Sequence, residues 1–245
     1  MSKGLKKVLH ICIIITILVV IAFIGLMVVL NYDENGESNM PFEISKITII
    51  STTDAVDVED DDNIWNEQVA QNNDIYIDIT KNEDYSKTQI IEEISLSNFN
   101  IIRDSNLGEI VIYRPSTDEL STFENTEEYE TSEIIFTGEQ ETSIQNLQIS
   151  NQGGRIAFRC ANNNVGTYIS NDGDELDYTN LLDKIGLTNE DLQLNLSFDM
   201  KIVLTNGKIF EANIEVDLPI EGVVSTGKSS QEITDLDIVF KRIEN

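Results

Sequence analysis

The chain has 245 residues, with 44 Asp or Glu against 16 Lys or Arg and a formal net charge of −28 at neutral pH. Nucleic-acid binding needs clustered Lys and Arg, so this balance excludes it. The single histidine, His10, falls in an apolar stretch near the start. That removes Ser-His-Asp and Cys-His catalysis, and histidine-ligated zinc, from everything beyond it.

Residues 8–30 (VLHICIIITILVVIAFIGLMVVL) contain no Asp, Glu, Lys, Arg or Pro. At about 1.5 Å per residue a helix of that length is about 34 Å long, against a hydrocarbon core of about 30 Å. Lys3, Lys6 and Lys7 precede the run; Asp33, Glu34 and Glu37 follow it, with no basic residue until Lys46. This bias predicts a cytoplasmic N-terminus over 1–7 and one transmembrane signal anchor over 8–31. The rest then lies outside the cell membrane, held to the lipid bilayer by the N-terminal helix. A cleaved secretory signal has an apolar region of only about 7–15 residues and a small-residue cleavage site, and this run has neither feature. Cys12 reads as a small apolar filler, and Gly25 lacks a second small residue four positions away for a dimerisation face.

A polar linker over 32–41 leads into a β-rich region. Phe42, Ile44, Ile47 and Ile49 predict a first strand with a change of face. An acidic loop over 54–63 (DAVDVEDDDN) follows, and the stretch around Trp65 and Val69 carries no clear pattern. Ile75, Ile77 and Ile79 alternate with Tyr76, Asp78 and Thr80, the signature of a half-buried strand. Residues 90–102 predict two strands or one bent strand, and 109–113 a strand stopped by Pro115. A long acidic loop over 116–133 precedes short strands at 134–136 and 144–150. Strands at 155–160 and 165–170 are expected to flank a turn at Asn162-Asn163-Asn164. A short helix is expected at 180–185, capped by Asn180 and ended by Gly186.

The clearest hairpin spans 192–218. A two-residue loop at Asn206-Gly207 would set Met200 against Asn213 and Phe198 against Glu215, apolar against polar. A three-residue loop, Thr205 to Gly207, sets Ile202 against Phe210, Met200 against Ala212 and Phe198 against Ile214. A one-residue slip turns a strand inside out, so side-chain polarity selects the three-residue loop. A last strand is expected over 233–240.

Several motifs invite chemistry. Residues 222–229 (GVVSTGKS) match the phosphate-loop pattern. Only 16 residues follow Ser229, too few for a parallel βα architecture, so the stretch reads as a flexible Gly/Ser loop and no nucleotide is expected. Asp57, Glu59, Asp60, Asp61 and Asp62 could offer oxygens to Ca²⁺, but the loop lacks the central Gly and closing Glu of an EF-hand. Cys160 is expected to be buried, and Asn195-Leu196-Ser197 is a glycosylation sequon lying mid-strand. No pair of carboxylates is singled out for glycoside hydrolysis. Catalytic, cofactor-binding and metal residues are therefore all expected to be none, and no cofactor is implied.

The fold expected is a mainly β ectodomain, an antiparallel β-sandwich behind one N-terminal transmembrane helix. A weak internal echo between 46–85 and 146–168 suggests two tandem immunoglobulin-like units, 42–140 and 141–245; one continuous β domain over 42–245 is the alternative. The basic-then-apolar start, the acidic β-rich remainder and stretches such as 149–168 (ISNQGGRIAFRCANNNVGTY) carry a resemblance. The chain resembles uncharacterised single-pass membrane-anchored extracytoplasmic β-domain proteins of low-GC Gram-positive bacteria. That resemblance implies location and no activity. The function expected is binding or scaffolding of a protein partner near the membrane surface, through strand edges or loops. A Ca²⁺-dependent adhesion or sensing module and a carboxylate-based wall-polymer enzyme are the alternatives.

Overall fold

The computed structural model describes residues 12–26, 40–58, 64–83, 85, 87–116, 122–138, 147–171 and 177–243. Helix α1 (residues 12–26) is apolar and open on all sides, with Ile13 49%, Leu18 60% and Phe23 60% exposed. Among the described residues no helix is long and apolar enough to cross a membrane. The ends of the expected span and the linker over 32–39 lie outside the described residues.

In chain order the strands are β1 (Phe42–Asp57), β2 (Ile64–Lys81), β3 (Ile91–Ile102), β4 (Glu109–Tyr113), β5 (Ile134–Thr137), β6 (Leu147–Gln148) and β7 (Gly154–Asn171). Short helices α2 (Leu181–Lys184) and α3 (Asn189–Leu192) lead to β8 (Leu194–Leu204) and β9 (Ile209–Leu218). Helix α4 (Val223–Thr226), β10 (Lys228–Ile233) and β11 (Lys241–Ile243) complete the order. One sheet runs β10-β1-β2-β7-β4, and the other β11-β9-β8-β3-β5-β6. Every pairing is antiparallel except β5 with β6.

Alternation explains the sandwich. Ile75, Ile77 and Ile79 of β2 and Ile156, Phe158 and Cys160 of β7 point inward from one sheet. Leu196, Phe198, Met200 and Ile202 of β8 point inward from the other, and all belong to one core. Phe158 bridges the sheets, with ring centroids 5.1 Å from Phe198 and 5.3 Å from Phe99. A division at 140/141 would cut both sheets, because each takes strands from both halves. The two tandem units therefore give way to a single sandwich over the described residues from 40 to 243.

Beyond the β10 and β4 pairings the first sheet continues as a three-stranded arm of β1, β2 and β7. Val69 and Val165 on one face of this arm pack a second, smaller core with Leu181 and Leu182 of α2, Leu192 of α3 and Val223 and Val224 of α4.

Several local expectations change. The stretch around Trp65 is the first part of β2, and β1 continues through Asp57 into the expected acidic loop. The face change in β1 is a register shift between Ile44 and Lys46. β3 is one bent strand, shifted between Ser97 and Asn100, with Asn98 at φ 55°. The Asn162-Asn163-Asn164 stretch is no turn. β7 runs straight through it, with Asn163 to Val165 bulging opposite the single Ala70, and Asn164 takes the left-handed conformation at φ 57°. Asn is one of the few side chains that tolerate that region, so the residues that signal a turn here serve a bulge. Asn180 is itself left-handed and makes no side-chain cap, and Leu192 belongs to α3 instead of β8. Thr188 and Asp191 form the capping box that starts α3. The strand expected over 233–240 is not formed: only Ile233 lies in a strand, at the end of β10, and residues 234–240 run outside the ladder until β11. The hairpin has the three-residue loop, with Ile202 opposite Phe210, Met200 opposite Ala212 and Phe198 opposite Ile214.

Candidate functional site

Cys160, the phosphate-loop residues and the sequon, singled out in the sequence, are held in structural roles. Cys160 is 0% exposed, and burial pushes its thiol up to about 12, so it stays protonated and inert at neutral pH. The phosphate-loop pattern folds as a turn. Its helix, α4, lies inside the motif, while Lys228 and Ser229 begin β10 opposite Thr52 and Ser51. A phosphate loop needs its Lys and Ser to open a helix. Here the Ser229 hydroxyl donates to the Glu221 carbonyl at 2.7 Å. Asn195 of the sequon lies in β8 and donates to Asp217 at 3.1 Å.

The outer face of the first sheet carries a ladder of ion pairs. Asp74 and Asp78 are four residues apart in β2, Arg155 and Arg159 four apart in β7, and the antiparallel register matches them crosswise. Arg159 donates twice to Asp74, at 2.6 and 3.1 Å, and Arg155 twice to Asp78, at 2.7 and 2.9 Å. The Arg155 hydrogen bond holds the Asp78 carboxyl below the usual carboxylate range, helped by the Arg155 and Lys46 charges against the opposing effect of burial. The segment 122–130 lies over this face. Phe123 sits under the Arg159 guanidinium at 5.0 Å, and Asn125 bonds Arg159, Asn72 and Asn163. The sequence shows the four-residue spacing of each pair, but only the register of β2 against β7 shows that opposite charges meet. These cations already have partners, so the ladder serves packing more than ligand capture.

Behind the same strands a buried network satisfies Ser51, Gln71 and Asn73. Ser51 donates to Asn73 at 2.7 Å, and Gln71 and Asn73 exchange amide bonds at 2.9 and 3.0 Å. The Ile220 backbone N–H donates to Ser51 at 2.8 Å, tying the loop before α4 to the sheet.

The acidic stretch begins at the arm. Glu67 is 3% exposed, and burial raises its carboxyl above the usual range, with the Asp57 charge adding to the effect. Tyr178 feels the charges of Asp54 and Glu67. Residues 59–63, which hold Glu59, Asp60, Asp61 and Asp62, lie outside the described residues. Among the described residues no group of three or more His, Cys, Asp or Glu side chains could hold a metal ion. On the opposite face of the arm Val56, Val58 and Ile169 are 64%, 53% and 65% exposed.

The second sheet's β9 edge is open beyond β11. β11 covers only Ile209 to Glu211. Residues 234–240 then form a strap along β9, with Leu236, Ile238 and Phe240 turned toward the core. A cleft of about 360 Å³ separates strap from strand. Ile47, Ile214, Val216 and Ile233 contribute apolar surface, and Glu215, Asp235 and Asp237 bring carboxylates. Two other clefts differ in character. One of about 910 Å³, beside Ile90, Gly138 and Thr205, carries no ionisable side chain among its described lining. One of about 620 Å³, beside Phe99 and Ile110, has Glu130 and Glu133 open to solvent.

No protein-family model matches the chain, and comparisons with curated proteins and with solved structures find no match.

Proposed function

We propose that the chain is a membrane-anchored extracytoplasmic binding or scaffolding protein. Its apolar N-terminal helix crosses the cell membrane once, with residues 1–7 in the cytoplasm and the sandwich outside. The reading of α1 as part of this anchor draws on apolar side chains exposed on every side. The observation that carries the binding function is the β9 edge, a strand uncovered beyond β11 and set beside a cleft that joins apolar surface to carboxylates. An exposed strand edge is a template for pairing with another chain unless it is covered, shortened or charged.

Two measurements on the full chain in intact cells test this. Single cysteines at Ser2 and Thr205 are treated with a membrane-impermeant maleimide, and only position 205 is expected to react. Labelling at position 2 contradicts the topology. A photoreactive residue at Glu215 is expected to capture another polypeptide; capture of none contradicts the binding function.

A second reading has one specific observation behind it. Asp57 lies opposite Glu67 at the root of the acidic stretch, a pair of carboxylates that falls short of a metal site by itself and that further oxygens would complete in a Ca²⁺-dependent adhesion or sensing module. A rise in thermal midpoint with Ca²⁺, absent with Mg²⁺, favours it, and an unchanged midpoint removes it.

A further inference from the structure

We infer that the β9 edge docks an extended, cationic polypeptide segment, added as a strand between β9 and the strap at 234–240; this rests on the binding reading above. The main chain supplies the first argument. At the hairpin the Leu204 N–H donates to the Lys208 carbonyl at 2.9 Å, which fixes the alternation of ladder bonds along β9. Phe210, Ala212, Ile214, Val216 and Leu218 bond back to β8, and the N–H and C=O groups of the residues between them point off the edge. Those of Ile209 and Glu211 meet β11. Those of Asn213, Glu215 and Asp217 meet no hydrogen-bond partner among the described residues. Three outward pairs at alternate positions are the pattern that an added strand needs.

The cleft supplies the second argument. A strand laid against β9 turns alternate side chains inward, over Ile47, Ile214 and Ile238. Its other side chains turn outward, beside Glu215 and Asp217 on β9 and Asp235 and Asp237 on the strap, all four exposed. No Lys or Arg lines the cleft among the described residues. The complementary segment therefore alternates apolar residues with Lys or Arg.

Charge also selects among occupants. The stretches 59–63, 117–121, 139–146 and 172–176 hold no Lys or Arg and each carries Asp or Glu, so none complements this rim. Residues 1–11 contain Lys3, Lys6 and Lys7 but lie across the bilayer in the proposed topology. A second copy brings the same net charge of −28 and an equally acidic edge. What remains is a different, basic polypeptide.

The full chain in nanodiscs is titrated with a fluorescent octapeptide of alternating Lys and Val, its Glu/Val counterpart, and a Lys/Val peptide N-methylated on one edge. Saturable binding is expected for the first peptide. It should weaken at least about tenfold on charge reversal, on N-methylation, and in a Glu215→Lys/Asp237→Lys variant that keeps its thermal midpoint. Equal binding of the N-methylated peptide, or of spermine, reduces the site to unspecific charge attraction and overturns the inference. So does unchanged binding by the variant. If the peptide fails while photocapture from Glu215 in cells succeeds, the cationic-strand inference falls and the binding reading stands. If both fail, both fall.

Discussion

Arg159 clasps Asp74 across the β2–β7 ladder with two hydrogen bonds, at 2.6 and 3.1 Å, and the two side chains are only 13% and 12% exposed. In a chain with so few cations, this pair turns scarce positive charge to structural use. Removing one partner strands the other in a partly desolvated site. Arg159→Ala also leaves the Asn125 side-chain oxygen without its donor, so unfolding of the full chain in detergent by urea should show a loss of about 2–4 kcal/mol. The double replacement Arg159→Met/Asp74→Leu should cost less than the single one. Equal or larger loss in the double variant contradicts this account of the pair.

Two carboxyls should respond to pH with opposite signs. Asp78 has its folded-state pKa lowered, chiefly by the Arg155 hydrogen bond. Its contribution is present above its unfolded value and disappears as pH falls through the folded value. Asp78→Asn should therefore lower the thermal midpoint at pH 7 and narrow its difference from the parent chain below about pH 4. Glu67 has its pKa raised by burial and by Asp57, so its ionised form destabilises the fold above the folded value. Glu67→Gln should raise the midpoint at pH 7, with the gain vanishing as pH falls below the ordinary carboxylate range. Midpoints recorded from pH 3 to 8 check both signs.

The hairpin register was legible because only one loop length kept apolar residues opposite apolar residues. The paths of β7 and of the strap were less legible, for a shared reason. Asn162-Asn163-Asn164 has the composition of a turn, and residues 236, 238 and 240 have the alternation of a strand. Composition and alternation report local conformation and burial, whereas the ladder depends on which distant segment lies alongside. The interleaving of both halves in both sheets is a non-local choice of the same kind. The Asp74/Asp78 and Arg155/Arg159 spacing was the one long-range signal available, and it needed the pairing register to become visible. For the candidate site, the apolar alternation of β9 was plain, but the uncovered edge followed only from where β11 stops.

Two glycines separate conformational strain from collision. Gly207 sits at φ 78°, and an added Cβ would meet nothing within 4 Å. Gly207→Ala should cost about 1–2 kcal/mol, the strain of the left-handed conformation alone. Gly227 sits at φ 70°, and its Cβ would approach the Tyr178 carbonyl oxygen at 2.4 Å. Gly227→Ala should therefore destabilise more than Gly207→Ala in the same urea experiment. Equal losses would mean that the contact with Tyr178 relaxes freely.

Phe158 joins the two sheets through its rings' contacts with Phe99 and Phe198, and it is 0% exposed. Phe158→Ala should cost about 3–5 kcal/mol, the range for deleting a buried aromatic ring. Chemical denaturation of the full chain measures it, and a loss below about 1 kcal/mol would show that the sheets close over the gap.

Cys160 gives a direct reading of core integrity. In a Cys12→Ser chain, a thiol reagent at pH 8 should find no reactive group until denaturant is added, since burial keeps the thiol protonated and covered. Rapid native-state labelling would contradict the packing of β7 against the second sheet.

The most direct test of the central claim is a photocapture scan along β9 in intact cells carrying the full chain. Photoreactive residues replace Asn213, Glu215 and Asp217 in turn, with Glu190 on α3 as an exposed position away from the edge. Captured material is identified by mass spectrometry. The account predicts one recurring polypeptide at the three edge positions, attached through a segment rich in Lys or Arg, and none at Glu190. Capture with equal yield at Glu190, or no polypeptide at the edge, would contradict it.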